Sequence, residues 1–229
     1  MQPSDKQTLS GRVAGQILGH IDSEGLRPGS PLPSEANLGE RLSVSRVVVR
    51  EALKVLEGQG IIEVVGGRGA TIREADGRLL KVYFDHVIRT SGDGIVELME
   101  VRQGIETFGA RLAAQRRSAV EARTIGRLAG EMNDALDDFN RFADLDVEFH
   151  MAIANAARNT LLSSLMVSIR ESMRGAMLAG LQKWKGTDQV DRVQRLHMEI
   201  AVAIQSGEPE AAAMAMSKHF SEAVEVLIE

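Results

Sequence analysis

Hydrophobic residues recur at helical spacing in three segments near the start of the chain. Apolar positions three and four residues apart predict a first helix over about residues 9–21. Ser34 and Ser45 are typical helix N-caps, and they predict a second helix ending at Leu42 and a third ending near Glu57. Two helices joined by so short a turn are typical of a helix-turn-helix.

The segment after the third helix has the pattern of a β-hairpin. Residues 61–65 form a largely β-branched run, residues 66–69 form a glycine-rich turn, and residues 70–72 can return as a strand. A hairpin in this place predicts the wing of a winged helix, with Arg68 at its tip, suited to a minor-groove or backbone contact with DNA. A nucleotide site is not expected, because the turn lacks the P-loop spacing and opens no helix.

The third predicted helix has an apolar face and a cationic face. Its apolar stripe, expected to face the core, consists of Val49, Ala52, Leu53 and Leu56. Arg46, Arg50 and Lys54 follow each other at four-residue steps on a neighbouring stripe. Such a stripe can pair with phosphates or with guanine edges in a major groove, and the alternative is a solvated charged face.

The remainder of the chain predicts a helical bundle. Helical spacing covers about residues 79–90, 95–117, 120–138, 140–156, 160–183, 188–206 and 208–228. Six or seven helices of this length indicate an all-α bundle, so the fold class is mainly α, with an N-terminal winged helix-turn-helix. The long second part is rich in Ala, Leu and Met, and it contains one proline, Pro209.

Three helices of the predicted bundle each carry a histidine on their apolar stripe. These residues are His150, His197 and His219, and Asp146 lies one turn before His150. A buried carboxylate is costly unless it is paired, hydrogen-bonded or bound to a metal. Three imidazoles and one carboxylate suit zinc or another first-row divalent ion. The alternative is a set of separately satisfied core histidines.

Charge and composition refine this organisation. The net charge of −5 lies entirely in residues 76–229, which hold 18 Lys and Arg against 23 Asp and Glu, whereas residues 1–75 hold nine of each. We therefore expect two domains, the winged helix-turn-helix over residues 1–75 and the helical bundle with the candidate metal ligands over residues 76–229. The lack of cysteine excludes thiolate ligands and disulfides. No apolar run approaches the roughly 18 residues of a membrane span, and a cytoplasmic protein is expected.

The N-terminal motifs resemble the DNA-binding domain of GntR-family bacterial transcription regulators over about residues 9–73. The matching positions include Pro28-Gly29-x-x-Leu32-Pro33-Ser34-Glu35, Val44-Ser45-Arg46-x-x-Val49-Arg50-Glu51-Ala52-Leu53 and Gly67-x-Gly69. The resemblance implies that Ser45, Arg46 and Arg50 contact operator DNA. Ala36 stands where relatives often carry a DNA-contacting arginine, so one expected contact is missing.

The C-terminal motifs resemble the FCD effector domain of the FadR-type branch of that family. The matching positions are Asp146-x-x-Phe149-His150, Asn159, His197-x-x-Ile200-x-x-Ala203-Ile204 and His219. The resemblance implies that Asp146 and the three histidines bind a divalent metal, commonly zinc or nickel. It also implies that Arg102 meets an effector carboxylate, and the alternative for Arg102 is an ordinary intrahelical ion pair with Glu106.

These patterns predict a ligand-responsive transcription regulator. We expect a homodimer on a palindromic operator, since one recognition helix reads few bases, and a repressor released by a small organic acid. One alternative is a metal-dependent, hydrolase-like enzyme, in which the open metal position activates water. No inward Glu, Lys or Tyr is expected beside the metal set to serve as its general base, so we predict no enzyme. Another alternative is a regulator with a purely structural metal.

Overall fold

Two units, each with its own apolar core, make up the chain. The computed structural model describes residues 8–65, 69–74, 77–184 and 188–228. The first unit comprises residues 1–79 and the second residues 80–229. The division falls within the first turns of a helix, a few residues beyond the boundary expected from the charge pattern.

The first unit is a three-helix arrangement followed by a hairpin. Its elements are α1 (Leu9–Ser23), α2 (Glu35–Leu42), α3 (Arg46–Gly58), β1 (Ile62–Val65) and β2 (Gly69–Ile72). The predicted caps are present, because the side chains of Ser34 and Ser45 accept hydrogen bonds from the backbone N–H groups of Asn37 and Val48. The strands are antiparallel, with Ile62 opposite Ile72, which confirms the winged helix-turn-helix.

The helix-turn-helix is tight because small residues lie where its helices meet. A Cβ on Gly39 would lie 3.0 Å from the carbonyl oxygen of Val44, so a larger residue would push α2 away from the turn. Ser43 ends α2 in the left-handed conformation, with φ of 53°. The predicted inward stripe of α3 is buried against α1 and the hairpin: Val49, Ala52, Leu53 and Leu56.

The second unit is the predicted helical bundle. Its elements are α4 (Arg78–Thr90, whose first residues belong to the first unit), α5 (Gly94–Arg116), α6 (Ala119–Asn133), α7 (Phe139–Ala156), α8 (Thr160–Lys183), α9 (Gln189–Ser206) and α10 (Pro209–Ile228). The helix expected over 120–138 ends at Asn133. Asp138 instead caps α7 by accepting from the N–H of Arg141 at 3.1 Å, and aspartates favour such caps over helix interiors.

The core of the second unit surrounds a group of polar side chains. Its fully buried aromatic residues include Phe142, Phe149 and Phe220. Charged and histidine side chains buried among them are Arg102, Glu106, Asp146, His150, His197 and His219. Among the described helices, none is both long enough and apolar enough to span a lipid bilayer. The bundle therefore encloses an ionisable cluster in an apolar shell.

Candidate metal centre and DNA-recognition helix

Helices α7, α9 and α10 bring the four predicted ligands together. Asp146 and His150 come from α7, His197 from α9 and His219 from α10, and all four are at most 2% exposed. One ligand atom from each lies within 4.8 Å of the others. The ring centroids of His197 and His219 are 4.4 Å apart, and those of His150 and His219 are 5.2 Å apart. The convergence expected from the three apolar stripes is observed.

The polar atoms of this cluster lack hydrogen-bond partners. Both Asp146 oxygens, both ring nitrogens of His150 and His197, and Nδ1 of His219 make no hydrogen bond within the described chain. Asp146 Oδ1 lies 3.2 Å from His197 Nε2 and 3.6 Å from His150 Nε2, without hydrogen-bond geometry. A buried unsatisfied polar group costs about 1–3 kcal/mol. A divalent ion bound by one nitrogen of each imidazole and by the carboxylate would satisfy one of these atoms in each residue, so the residues fit a metal.

Burial and neighbouring charges determine the protonation of the cluster. Burial lowers the pKa of His197 and of His219, and the other histidines lower that of His219 further. Burial also opposes the charged form of His150, but the Glu106 and Asp146 carboxylates outweigh it and raise the pKa of His150 to about 9. Although burial opposes ionisation of Asp146, the nearby His150 holds its pKa well below the usual value. Asp146 is therefore ionised, and His197 and His219 are neutral, as metal ligation requires. His150 is protonated in the metal-free cluster and would release the proton of its ligand nitrogen when an ion binds.

Glu106 is a buried neighbour of the cluster that the sequence pattern did not reveal. Its Oε2 is in ion-pair contact with His150 Nδ1, and its Oε1 accepts from Arg102 Nε at 2.7 Å. The expectation that no glutamate faces inward beside the metal set is wrong. A usable signal was present, because Glu106 lies on one stripe of α5 with Ala110 and Ala113, both fully buried.

Arg102 is buried next to the cluster, in the ion pair that was the alternative to effector binding. Its guanidinium lies 4.8 Å from the ring centroid of Phe220, the neighbour of His219, and Nη1 contacts the Met99 sulfur at 3.3 Å. The pair with Glu106 is not a surface contact, since both side chains are 4% exposed. Arg102 is thus connected to His150 through the Glu106 carboxylate, which contacts both side chains.

The outer surface of α3 carries the predicted DNA-contacting residues. Ser45, Arg46 and Arg50 are all exposed at the start of this helix. Arg50 donates from Nε and Nη2 to the two carboxylate oxygens of Glu35 on α2, at 3.1 and 2.8 Å. This bidentate pair lowers the pKa of Glu35, which stays ionised. Arg68, the fourth predicted contact, lies outside the described residues.

Each of the two units matches a known protein family. Residues 97–222 match the FCD domain, and residues 9–72 match the bacterial regulatory proteins of the gntR family. The chain is 31% identical to the Glc operon transcriptional activator of Escherichia coli K12, covering 85% of this chain and 79% of that protein. It is 30% identical to the galactonate operon transcriptional repressor of the same strain, covering 82% of this chain and 83% of that protein.

The fold also matches a solved structure over nearly its whole length. The structure titled Streptococcus agalactiae GntR aligns with a TM-score of 0.73 at 27% identity, covering 94% of this chain and 99% of that one. The FCD match spans more than half of the chain. The metal-dependent enzyme is thereby set aside, because the winged helix and the bundle both belong to regulators. The protein belongs to the GntR family of bacterial transcription regulators, in the FadR-type branch that carries an FCD effector domain.

Proposed function

We propose that the protein is a homodimeric repressor controlled by a small carboxylate that binds beside a divalent metal, zinc or nickel. Asp146, His150, His197 and His219 would hold the metal. The observation that carries the proposal is the buried cluster of unpaired ligand atoms, joined through Glu106 to the buried Arg102. The protein would bind an operator in bacterial DNA, and it would therefore act in the cytoplasm.

A carboxylate effector suits both the proposed metal and the guanidinium of Arg102. An open metal position accepts an anionic oxygen, and the planar guanidinium of Arg102 matches a carboxylate in a bidentate pair. Arg102 already donates to one buried carboxylate, that of Glu106. An effector carboxylate would accept hydrogen bonds from the guanidinium in the same way. One relative is named for the galactonate operon, and galactonate is a hydroxy carboxylate.

Repression is the direction that we propose for its control of transcription. The relatives named above include one activator and one repressor. In the proposed scheme, the effector shifts the helices of the bundle and changes the spacing of the two winged domains on the operator. A reporter gene under an operator selected from random duplexes should be silent without effector, whereas activation by the protein would contradict repression.

A melting experiment separates this proposal from a purely structural metal. Zinc and nickel should each stabilise the chelator-treated protein, and a sugar acid, hydroxy acid or dicarboxylate should raise the melting temperature of the metal-loaded protein further. Stabilisation by the metal without any response to a panel of acids would favour the structural alternative. No stabilisation by either metal would contradict the metal centre itself.

Operator contact is proposed for Ser45, Arg46 and Arg50, and for Arg68, which the sequence predicts at the tip of the wing. Arg50→Ala should weaken operator binding roughly tenfold or more, since an arginine–guanine contact is worth about 1–3 kcal/mol. In the wild-type protein Arg50 pairs with Glu35. Arg50→Ala therefore also leaves the Glu35 carboxylate unpaired, and this negative charge would repel phosphates. Adding Glu35→Gln should therefore restore part of the affinity in a fluorescence-anisotropy titration. No recovery in the double variant would contradict this arrangement.

The proposed homodimer is supported by an exposed apolar face on α4 and α5. Tyr83 and Val101 line a cavity of about 250 Å³, and Phe108 lies two turns further along α5 on the same side as Val101. Tyr83, Val101 and Phe108 are 63%, 54% and 48% exposed. Monomers rarely leave a large apolar face uncovered, and a second copy of the chain would cover this one.

Val101→Glu should therefore weaken dimer formation, because it would place a charge within an apolar contact. Val202→Glu on α9 is the matched control, since Val202 is exposed to almost the same extent, 56%. Sedimentation equilibrium at micromolar concentration should show mostly monomer for Val101→Glu and dimer for Val202→Glu. Dimers of equal affinity in both variants would place the interface elsewhere.

A further inference from the structure

We propose that Glu106 is a positioning residue of the metal centre, which holds the His150 ring so that Nε2 faces the metal. This inference rests on the proposed metal binding by the Asp146 cluster. Glu106 itself is not among the four residues whose ligand atoms converge, so it would act through His150. It reaches the site from α5, a helix that supplies none of the four ligands.

The contacts of His150 assign separate tasks to its two nitrogens. Nδ1 is in contact with Glu106 Oε2, whereas Nε2 lies 3.6 Å from Asp146 Oδ1 on the side of the other ligands. With Nδ1 occupied, Nε2 is the nitrogen left for an ion. Carboxylates in this position fix the tautomer and orientation of a metal-binding histidine and increase its basicity.

Glu106 supports only one of the three histidines. In the described part of the chain, the histidine that Glu106 contacts is His150, through Nδ1. The second oxygen of Glu106 is held by Arg102, so the carboxylate is fixed from both ends. A chain of contacts therefore runs from Arg102 through Glu106 to His150, and loss of Glu106 should affect the His150 ligand selectively.

A double-mutant cycle on the full-length protein tests this selectivity, with Zn²⁺ affinity measured by competition with a chromophoric chelator. Glu106→Gln should weaken Zn²⁺ binding about 10–100-fold, the usual effect of losing an outer carboxylate partner. The same substitution should have no further effect in a His150→Ala background, where its target is missing. In a His219→Ala background it should retain its full effect, which makes this the matched control.

Two further measurements exclude a general loss of structure. Thermal unfolding of the metal-free variants reports folding separately from metal affinity. Glu106→Gln leaves the charge of Arg102 without its buried partner, whereas the double variant Glu106→Gln/Arg102→Gln removes both charges of the pair and should fold. The double variant should still bind Zn²⁺ at least tenfold more weakly than Arg102→Gln alone.

Failure of the Glu106 inference and failure of the proposed metal centre would give different results in these measurements. Equal losses in the His150→Ala and His219→Ala backgrounds would overturn the proposal, because Glu106 would then not act through His150. Wild-type Zn²⁺ affinity in Glu106→Gln would also overturn it, while leaving the metal centre intact. Failure of the wild-type protein to bind Zn²⁺ or Ni²⁺ would instead refute the proposed metal centre, and the Glu106 inference with it.

Discussion

Replacing His197 by alanine should abolish high-affinity zinc binding. His197 is fully buried, and its Nε2 lies 3.2 Å from Asp146 Oδ1 in the middle of the cluster. Losing a direct ligand should cost more than the roughly 10–100-fold typical of an outer partner. At a concentration 100 times its dissociation constant, zinc should stabilise the wild-type protein by about 2.7 kcal/mol, and this gain should vanish in His197→Ala.

Gln194→Ala on the same helix is the control for this prediction. Gln194 is also buried, and its Nε2 donates to the carbonyl oxygen of Ala129 at 2.7 Å. The control should lower the melting temperature by removing that hydrogen bond, yet it should leave zinc affinity and stoichiometry unchanged. Zinc bound by His197→Ala with wild-type affinity would show that the ion lies elsewhere.

Removing the guanidinium of Arg46 should nearly eliminate operator recognition. Arg46 is the first residue of α3, and its exposed side chain makes no ion pair with the part of the chain that is described. A bidentate contact with guanine is worth about 1–3 kcal/mol, and a dimer makes it in both half-sites. Arg46→Ala should therefore weaken operator binding by about 30-fold to 10⁴-fold, measured by anisotropy with an operator selected from random duplexes.

Arg195→Ala provides the matched control, because it removes the same charge from an exposed position on α9. Its operator affinity should remain within a few-fold of wild type. Binding to unrelated duplex DNA distinguishes base recognition from phosphate contact. If Arg46→Ala weakens specific and non-specific binding equally, Arg46 contacts only phosphates and the recognition of bases has been assigned wrongly.

Local signals were sufficient to predict most of the fold. Ser34 and Ser45 cap their helices through hydrogen bonds to residues three positions away, and β1 pairs with β2 on either side of a glycine-rich sequence. The burial of His150, His197 and His219 was also predictable, because each lies on the apolar stripe of its own helix. Both kinds of signal depend on spacing within a single element, which the sequence displays directly.

Contacts between helices were not predictable in the same way. Glu106 seemed to have only an intrahelical partner, and its contact with His150 depends on how α5 packs against α7. The pairing of Arg50 with Glu35 likewise depends on the angle between α2 and α3. The end of α6 at Asn133 was missed because a cap at Asp138 competes with continued helix over the same residues.

In the proposed scheme, a carboxylate bound beside the metal changes the affinity of the protein for DNA. The most direct measurement is the operator affinity of the zinc-loaded protein with D-galactonate, L-lactate, succinate and their neutral alcohol analogues. We predict that an acid, but no alcohol, changes that affinity by about 5–150-fold, the usual range of allosteric coupling. Arg102→Gln should keep its zinc and lose this response. Operator affinity that stays constant with every acid would show that no carboxylate of this panel controls DNA binding through the metal centre.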